Sequence, residues 1–348
     1  MIPFNYDAPG GRVVFGPGTL ARLPDELDAL GAARVLLLAS DRHAGPVRDL
    51  LGGRVAGHFP AVVQHVPEGA AAEARALAGA VRPDALLAVG GGSAIGFAKV
   101  VALVHGVPIV AVPTTYSGSE MTTIWGLSDG GTKRTGNDPR VKPQLVVYDP
   151  ELTLGLPPRV AGPSGMNALA HCVEGLYGPR ANPIVSLLAL EGIRVLHASL
   201  PAVCATPGDL DARSDALYGA YLGGNALAAG TGLHHRTCHV LGGMFGLDHG
   251  DMNAVVLGHA LAYNAPAIPE ALARIECALG TGDAPGALFD LAATVEAPAG
   301  LAAMGMPAAG LDEATARIVA EAAGNVRPPE PEGIRKMLDD AFTGRRPA

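Results

Sequence analysis

Charge, aromatic rings and paired cysteines are all scarce in this chain. Charged residues make up 17% of its 348 positions and aromatics 4%, with a single tryptophan. Twenty-five Lys and Arg against 33 Asp and Glu leave a net charge of −8, and no basic stripe with interleaved aromatics occurs. That balance argues against a nucleic-acid partner. The four cysteines, Cys172, Cys204, Cys238 and Cys277, include no C-x-x-C pair. Neither a disulfide framework nor a thiolate zinc site is therefore indicated, and a reducing cytoplasm fits. The opening MIPFNYDAPGG lacks the basic-then-apolar order of a signal peptide. Apolar stretches are broken by Gly, Pro or polar residues before they reach spanning length, so no membrane helix is expected. A hydrophobic content of 49% is ample for a large core in two or three domains.

What the chain does have is a change of texture near residue 154. Up to that point short apolar runs alternate with amphipathic segments. Arg12–Phe15, Arg34–Ala39, an extended Ala61–Val66, Asp84–Val89, Val107–Val112 and Leu145–Tyr148 read as strands. Several of these runs lack polar alternation, which a strand needs only when both of its faces are covered. The expectation is an α/β N-terminal domain with a doubly wound parallel sheet, residues 1–154, followed by an all-α C-terminal domain, residues 155–348. Ser128–Gln144, polar and glycine-rich, reads as a hairpin carrying Lys133 and Arg134.

Two groups of residues point to chemistry. The strand ending at Val89 runs into Gly90-Gly91-Gly92-Ser93 and then a helix, a turn in which main-chain N–H groups and a helix N-terminus can receive a pyrophosphate. It is not the G-x-G-x-x-G order, and alone it is equally a tight turn. The next strand ends in Pro113-Thr114-Thr115-Tyr116-Ser117, and parallel strands bring both loops to one edge. The second group lies between Thr231 and Ala262, which holds five histidines. His235 and His239 share a helix face at i, i+4, and a glycine-rich elbow, Gly242 to Gly246, folds the chain back toward His249. Asn167 and His171 repeat the spacing upstream. Any one histidine alone reads as a satisfied core or surface residue; the spaced pairs together describe a buried site.

These motifs, GGGSAIGFAK, PTTYSGSEMT, DPELTLGLPPRVAGPSGMNALAHCVEGLY and the histidine block, resemble the iron-containing alcohol dehydrogenase superfamily over nearly the whole chain. KRTGNDPRVKP, HHRTCHVLGGMFGLDH and ALAYNAP are most similar to the maleylacetate reductases within it. The resemblance implies a dehydroquinate synthase-like fold, NADH or NADPH as cofactor, a homodimer, and an active site in the cleft between two domains. It places Gly91, Gly92 and Ser93 on the pyrophosphate, Thr114, Thr115, Ser117 and Thr122 along the cofactor, and Lys133 at the nicotinamide ribose. Ser40 or Asp41 would meet the adenosine ribose; Asp41 favours NADH and Ser40 admits the 2′-phosphate of NADPH. In metal-dependent relatives an Asp-x-x-x-His pair and two more histidines bind a cation. Here those positions are Asn167, His171, His235 and His249, with His239 near the nicotinamide.

Asn167 is the departure. An amide offers one weak ligand where a carboxylate would neutralise charge, which puts a tight divalent metal site in doubt. The activity implied is NAD(P)H-dependent reduction of maleylacetate to 3-oxoadipate in aromatic-compound degradation. A donor among His171, His235 and His249 would stabilise the enolate, and Lys133 or Arg134, or Arg236 unless at i+1 from His235 it faces solvent, would hold the carboxylates of this small dicarboxylate. The competing readings are a metal-dependent alcohol or aldehyde dehydrogenase, a lyase of the dehydroquinate synthase type, and a ligand-binding protein that has lost its chemistry, against which the histidine spacings weigh.

Overall fold

The computed structural model describes residues 11–129 and 132–347. They form two compact units that meet in the chain between Gly155 and Leu156.

The first unit is built on six parallel strands: β1 (Arg12–Phe15), β2 (Val35–Leu38), β3 (Val55–Phe59), β4 (Ala85–Gly90), β5 (Ile109–Pro113) and, after a hairpin, β8 (Leu145–Tyr148). The order across the sheet is β1-β8-β5-β4-β2-β3. The apolar runs are continuous because both faces are covered. Val35, Leu37, Leu87, Val89, Val110, Val112 and Val147 share one core with residues of α1 (Leu23–Ala29) and α2 (Asp41–Leu51). On the other side α4 (Gly92–His105) and α3 (Glu68–Val81) pack together, and Phe97 meets Phe59 with ring centroids 5.3 Å apart. From β2 the chain runs outward to β3 and then crosses back to β4 on the other side of β2. The sheet therefore reverses direction between β2 and β4, and ligands of open α/β sheets bind at such a point, beyond the strand carboxyl ends.

β6 (Ile124–Asp129) and β7 (Thr132–Asn137) form a separate antiparallel pair, a hairpin that begins earlier and ends earlier than the Ser128–Gln144 segment read from the sequence. The Lys133 side chain lies outside the described residues. One strand was misplaced by sequence reasoning: β3 is Val55–Phe59, and Ala61–Val66 is irregular. Gly57 and His58 dilute the apolar signal of the true strand, whereas His65 and Val66 take left-handed backbone angles, φ 63° and 47°, that no strand accommodates.

The second unit is helical throughout: α5 (Pro158–Gly175), α6 (Pro183–Ala205), α7 (Leu210–Ala226), α8 (Leu233–Phe245), α9 (His249–Asn264), α10 (Pro269–Leu279), α11 (Ala284–Thr294), α12 (Leu311–Glu321) and α13 (Pro331–Thr343). Helices α5, α6 and α7 pack as a group. A Cβ on Gly223 would lie 2.6 Å from the Ala168 carbonyl oxygen, so α7 approaches α5 at main-chain distance. Helix α6 is long and apolar enough to cross a membrane by length and composition alone. Half of that window is buried inside the unit, as in a core helix. The predicted glycine elbow is also narrower than expected. Gly242 and Gly243 stay within α8, and only Gly246, at φ 65°, ends it.

Candidate active site

In the α/β unit, β2, β4 and β5 end on the same edge, with Leu38 beside Ala88 and Ala88 beside Ala111. Gly90 turns the chain at φ 150°, Gly91 precedes α4 and Gly92 opens it. A Cβ on Gly91 would lie 2.9 Å from both Thr115 Oγ1 and Thr115 Cγ2, and one on Gly92 3.4 Å from Ser117 Oγ. The glycine turn and the hydroxyl segment after β5 thus touch, and the Thr114 N–H donates to the Gly90 carbonyl at 3.0 Å. Ser40 caps α2 at the end of β2, its hydroxyl 3.3 Å from His43 Nδ1, with Asp41 exposed in the first turn. Glycines that admit main chain but no side chain, at the start of a four-turn helix and at the sheet's reversal point, fit a dinucleotide pyrophosphate. Gly91, Gly92 and Ser93 would hold it.

Sequence reasoning missed the peg of this loop. Lys99, buried on α4, donates to the Ser119 carbonyl at 2.7 Å, Thr122 Oγ1 at 2.8 Å and the Ile124 carbonyl at 2.8 Å. Burial draws its pKa down to about 7, opposed by Glu120. Thr122 also donates to the Ser119 carbonyl, so its hydroxyl is engaged within the loop.

In the helical unit α5 carries Asn167, His171 and Glu174 on a buried stretch; Glu174 has no exposure. Its Oε1 accepts the main-chain N–H of His234 at 2.9 Å, a carboxylate at the N-terminus of α8, whose N-cap, Gly232, offers no side chain. Asn325 Oδ1 accepts the Leu233 N–H beside it. His235 follows, with Nδ1 2.7 Å from Glu174 Oε2. The His171 and His235 rings stack at 4.8 Å and 13°, and His234 meets His235 edge-on. His239 and His249 stack at 6.2 Å and 19°. The i, i+4 pairs on α5 and α8 and the first residue of α9 thus supply four imidazoles and His234 a fifth; His171, His234 and His235 are buried, His249 is partly buried and His239 is exposed. Arg236 is exposed, one residue round the helix from buried His235.

Burial, reinforced by neighbouring His235, His249 and His234, holds His171 well below the usual 6.5; burial and His249, His239 and Arg236 do the same for His235. His234 is lowered to about 3, chiefly by burial and by His235. Burial pushes the Glu174 carboxyl up, opposed by His234 and by the main-chain N–H groups of Gly232, His234 and His235. Cys172 and Cys238 are buried and their thiols raised by burial, which suits small core residues better than nucleophiles.

Glu174 and His234 escaped sequence reasoning. The signal for Glu174 was present, since it stands at i+3 from His171 and falls on the same side of α5. His171 Nδ1 and His235 Nε2 are buried without a hydrogen-bond partner among the described residues. Together with His249 they suit a divalent cation in ligand type, and a cation held there would act as a Lewis acid on a substrate oxygen. Asn167 leaves that set formally neutral, with Glu174 one step removed behind His235.

Comparison with known proteins reads the two units together. Residues 10–150 match the iron-containing alcohol dehydrogenase model, and residues 162–342 match the C-terminal model of the Fe-containing alcohol dehydrogenase family. The class is that of the NAD(P)H-dependent oxidoreductases. More particularly, the chain belongs to the iron-containing alcohol dehydrogenase family. It is 48% identical to a maleylacetate reductase of Burkholderia cepacia, with both chains covered completely. The crystal structure of a maleylacetate reductase from Agrobacterium tumefaciens superposes with a TM-score of 0.95 at 41% identity, covering all of both chains. An iron-containing alcohol dehydrogenase from Corynebacterium glutamicum gives 0.95 at 43% identity, over 100% of this chain and 99% of that one.

Proposed function

We propose that this protein reduces maleylacetate to 3-oxoadipate with NADH or NADPH, as a step in the degradation of hydroxyquinol- or chlorocatechol-type aromatic compounds. The observation that carries the reading is the buried imidazole cluster with Asn167 beside it, in a chain alike end to end to maleylacetate reductases. The cofactor supplies hydride when bound. The substrate receives it at the alkene carbon β to the ketone, the ketone oxygen takes the charge as an enolate, and a proton then adds to the α carbon. Neutral imidazoles in a water-poor site answer both needs. One N–H steadies the oxyanion, and an imidazole that has gained a proton returns it to carbon. Arg236, exposed and beside the cluster in sequence, is the cation of this unit for a substrate carboxylate.

With Asn167 contributing no charge, the imidazoles rather than a resident cation serve the oxyanion. A cytoplasmic homodimer is the form in which we expect the enzyme to work. The test supplies the purified protein with NADH or NADPH, maleylacetate or butanal, with and without a chelator. The expected result is cofactor oxidation with maleylacetate alone, unchanged by the chelator. Oxidation only with butanal would reject the substrate; loss that only Fe²⁺ or Zn²⁺ restores would reject the metal-free chemistry.

A further inference from the structure

We infer that His234 is a positioning residue that fixes which nitrogen of His235 carries the hydrogen. His234 Nε2 lies 3.1 Å from the Asn253 main-chain oxygen. A carbonyl oxygen can only accept, so that nitrogen is N–H. On the other side of the ring, His234 Nδ1 is 3.2 Å from His235 Nδ1, which in turn is 2.7 Å from Glu174 Oε2. A ring nitrogen has one in-plane position, holding either a hydrogen or a lone pair.

Were His235 Nδ1 bare, it could take a hydrogen from Glu174 or from His234 but not from both, and one of the two short contacts would be left repulsive. With the hydrogen on His235 Nδ1 both contacts are satisfied: it is offered to the Glu174 carboxylate and to the lone pair of His234. The three buried ligand-type atoms of Glu174, His234 and His235, all within 4.8 Å of one another, thus share a hydrogen rather than a metal ion. The Glu174 to His235 separation is that of a charge-assisted hydrogen bond.

The consequence is that His235 Nε2, buried and without a partner among the described residues, presents a lone pair. It receives a hydrogen bond or ligates; it does not donate one. In the reduction proposed above, on which this last step rests, the N–H that steadies the enolate oxygen then comes from His171 or His249.

The test is nitrogen-15 NMR of histidine-labelled, full-length protein without substrate, with the His235 signals assigned from their absence in His235→Gln. In the wild type, Nδ1 of His235 is expected to carry the hydrogen and Nε2 to be bare. His234→Phe, which keeps a ring and loses the acceptor, should populate the Nε2–H form and lower kcat about 10- to 100-fold, with KM for NADH unchanged. His234→Asn returns an oxygen near the Nδ1 position and should restore the wild-type pattern. A hydrogen on Nε2 of wild-type His235 overturns the assignment, and that spectrum decides even if a variant fails to fold. So do Phe and Asn variants with the same spectrum. Because the spectra need no substrate, a protein inactive on maleylacetate leaves this assignment standing, and the reverse holds too.

Discussion

In the α/β unit the groups at the candidate nucleotide site are main-chain N–H groups and hydroxyls at strand ends, partly open to solvent. In the helical unit they are imidazoles, and His234 and His235 are 0% and 3% exposed. The first arrangement asks little of any one side chain, because a glycine turn and a helix terminus do the binding. The second depends on each ring, because every buried nitrogen needs a partner or a purpose. Substitutions in the helical unit should therefore strike chemistry, and those in the α/β unit should strike affinity.

The largest effect is expected at His235. His235→Ala should lower kcat about 100- to 10,000-fold while NADH affinity stays near wild type; a loss under about tenfold would remove it from the reacting set. In the other unit, Gly91→Val puts a side chain where Thr115 already stands, 2.9 Å from the new Cβ. NADH affinity, followed by fluorescence titration, should fall by about tenfold or more, with the melting transition of the helical unit little changed. An equal loss of kcat at saturating NADH would break the division between the units.

Asn167→Asp sharpens the contrast from the other side. It returns a carboxylate to the imidazole set, and Zn²⁺ affinity by calorimetry should rise by about tenfold or more. No change in metal affinity would mean that charge does not limit that set. The mildest test is acid stability. Burial holds His171, His234, His235 and His259 below their ordinary 6.5, His234 to about 3 and His259 to about 4. The unfolded chain therefore takes up protons that the folded one refuses. The histidines' contribution to stability should be full above pH 6.5 and should drop as pH falls, by up to about 1.4 kcal/mol per pH unit for each group. Urea midpoints flat from pH 7 to 5 would contradict buried, neutral rings.

How much of this was legible in the sequence follows from how local each feature is. The runs at Val35–Leu38 and Ala85–Gly90 and the turn at Gly90–Ser93 announce themselves by apolar continuity and glycine, and the i, i+4 pairs place Asn167, His171, His235 and His239 correctly on helices. The edge strand Val55–Phe59 did not, because an edge needs less burial and tolerates Gly57 and His58. Lys99 gave no signal, since its partners, two main-chain oxygens and the Thr122 hydroxyl, belong to a loop some twenty residues on. The Asn253 carbonyl against His234 was equally out of reach, being a contact that any residue type could make.

The central claim, conjugate hydride delivery to an alkene, is tested most directly by following the hydride itself. With cofactor deuterated at its transferable position and maleylacetate as substrate, mass and NMR spectra should show one deuterium in 3-oxoadipate, on the carbon β to an intact ketone. Deuterium on a newly formed carbinol carbon, with the double bond retained, would show a carbonyl reductase and contradict the account.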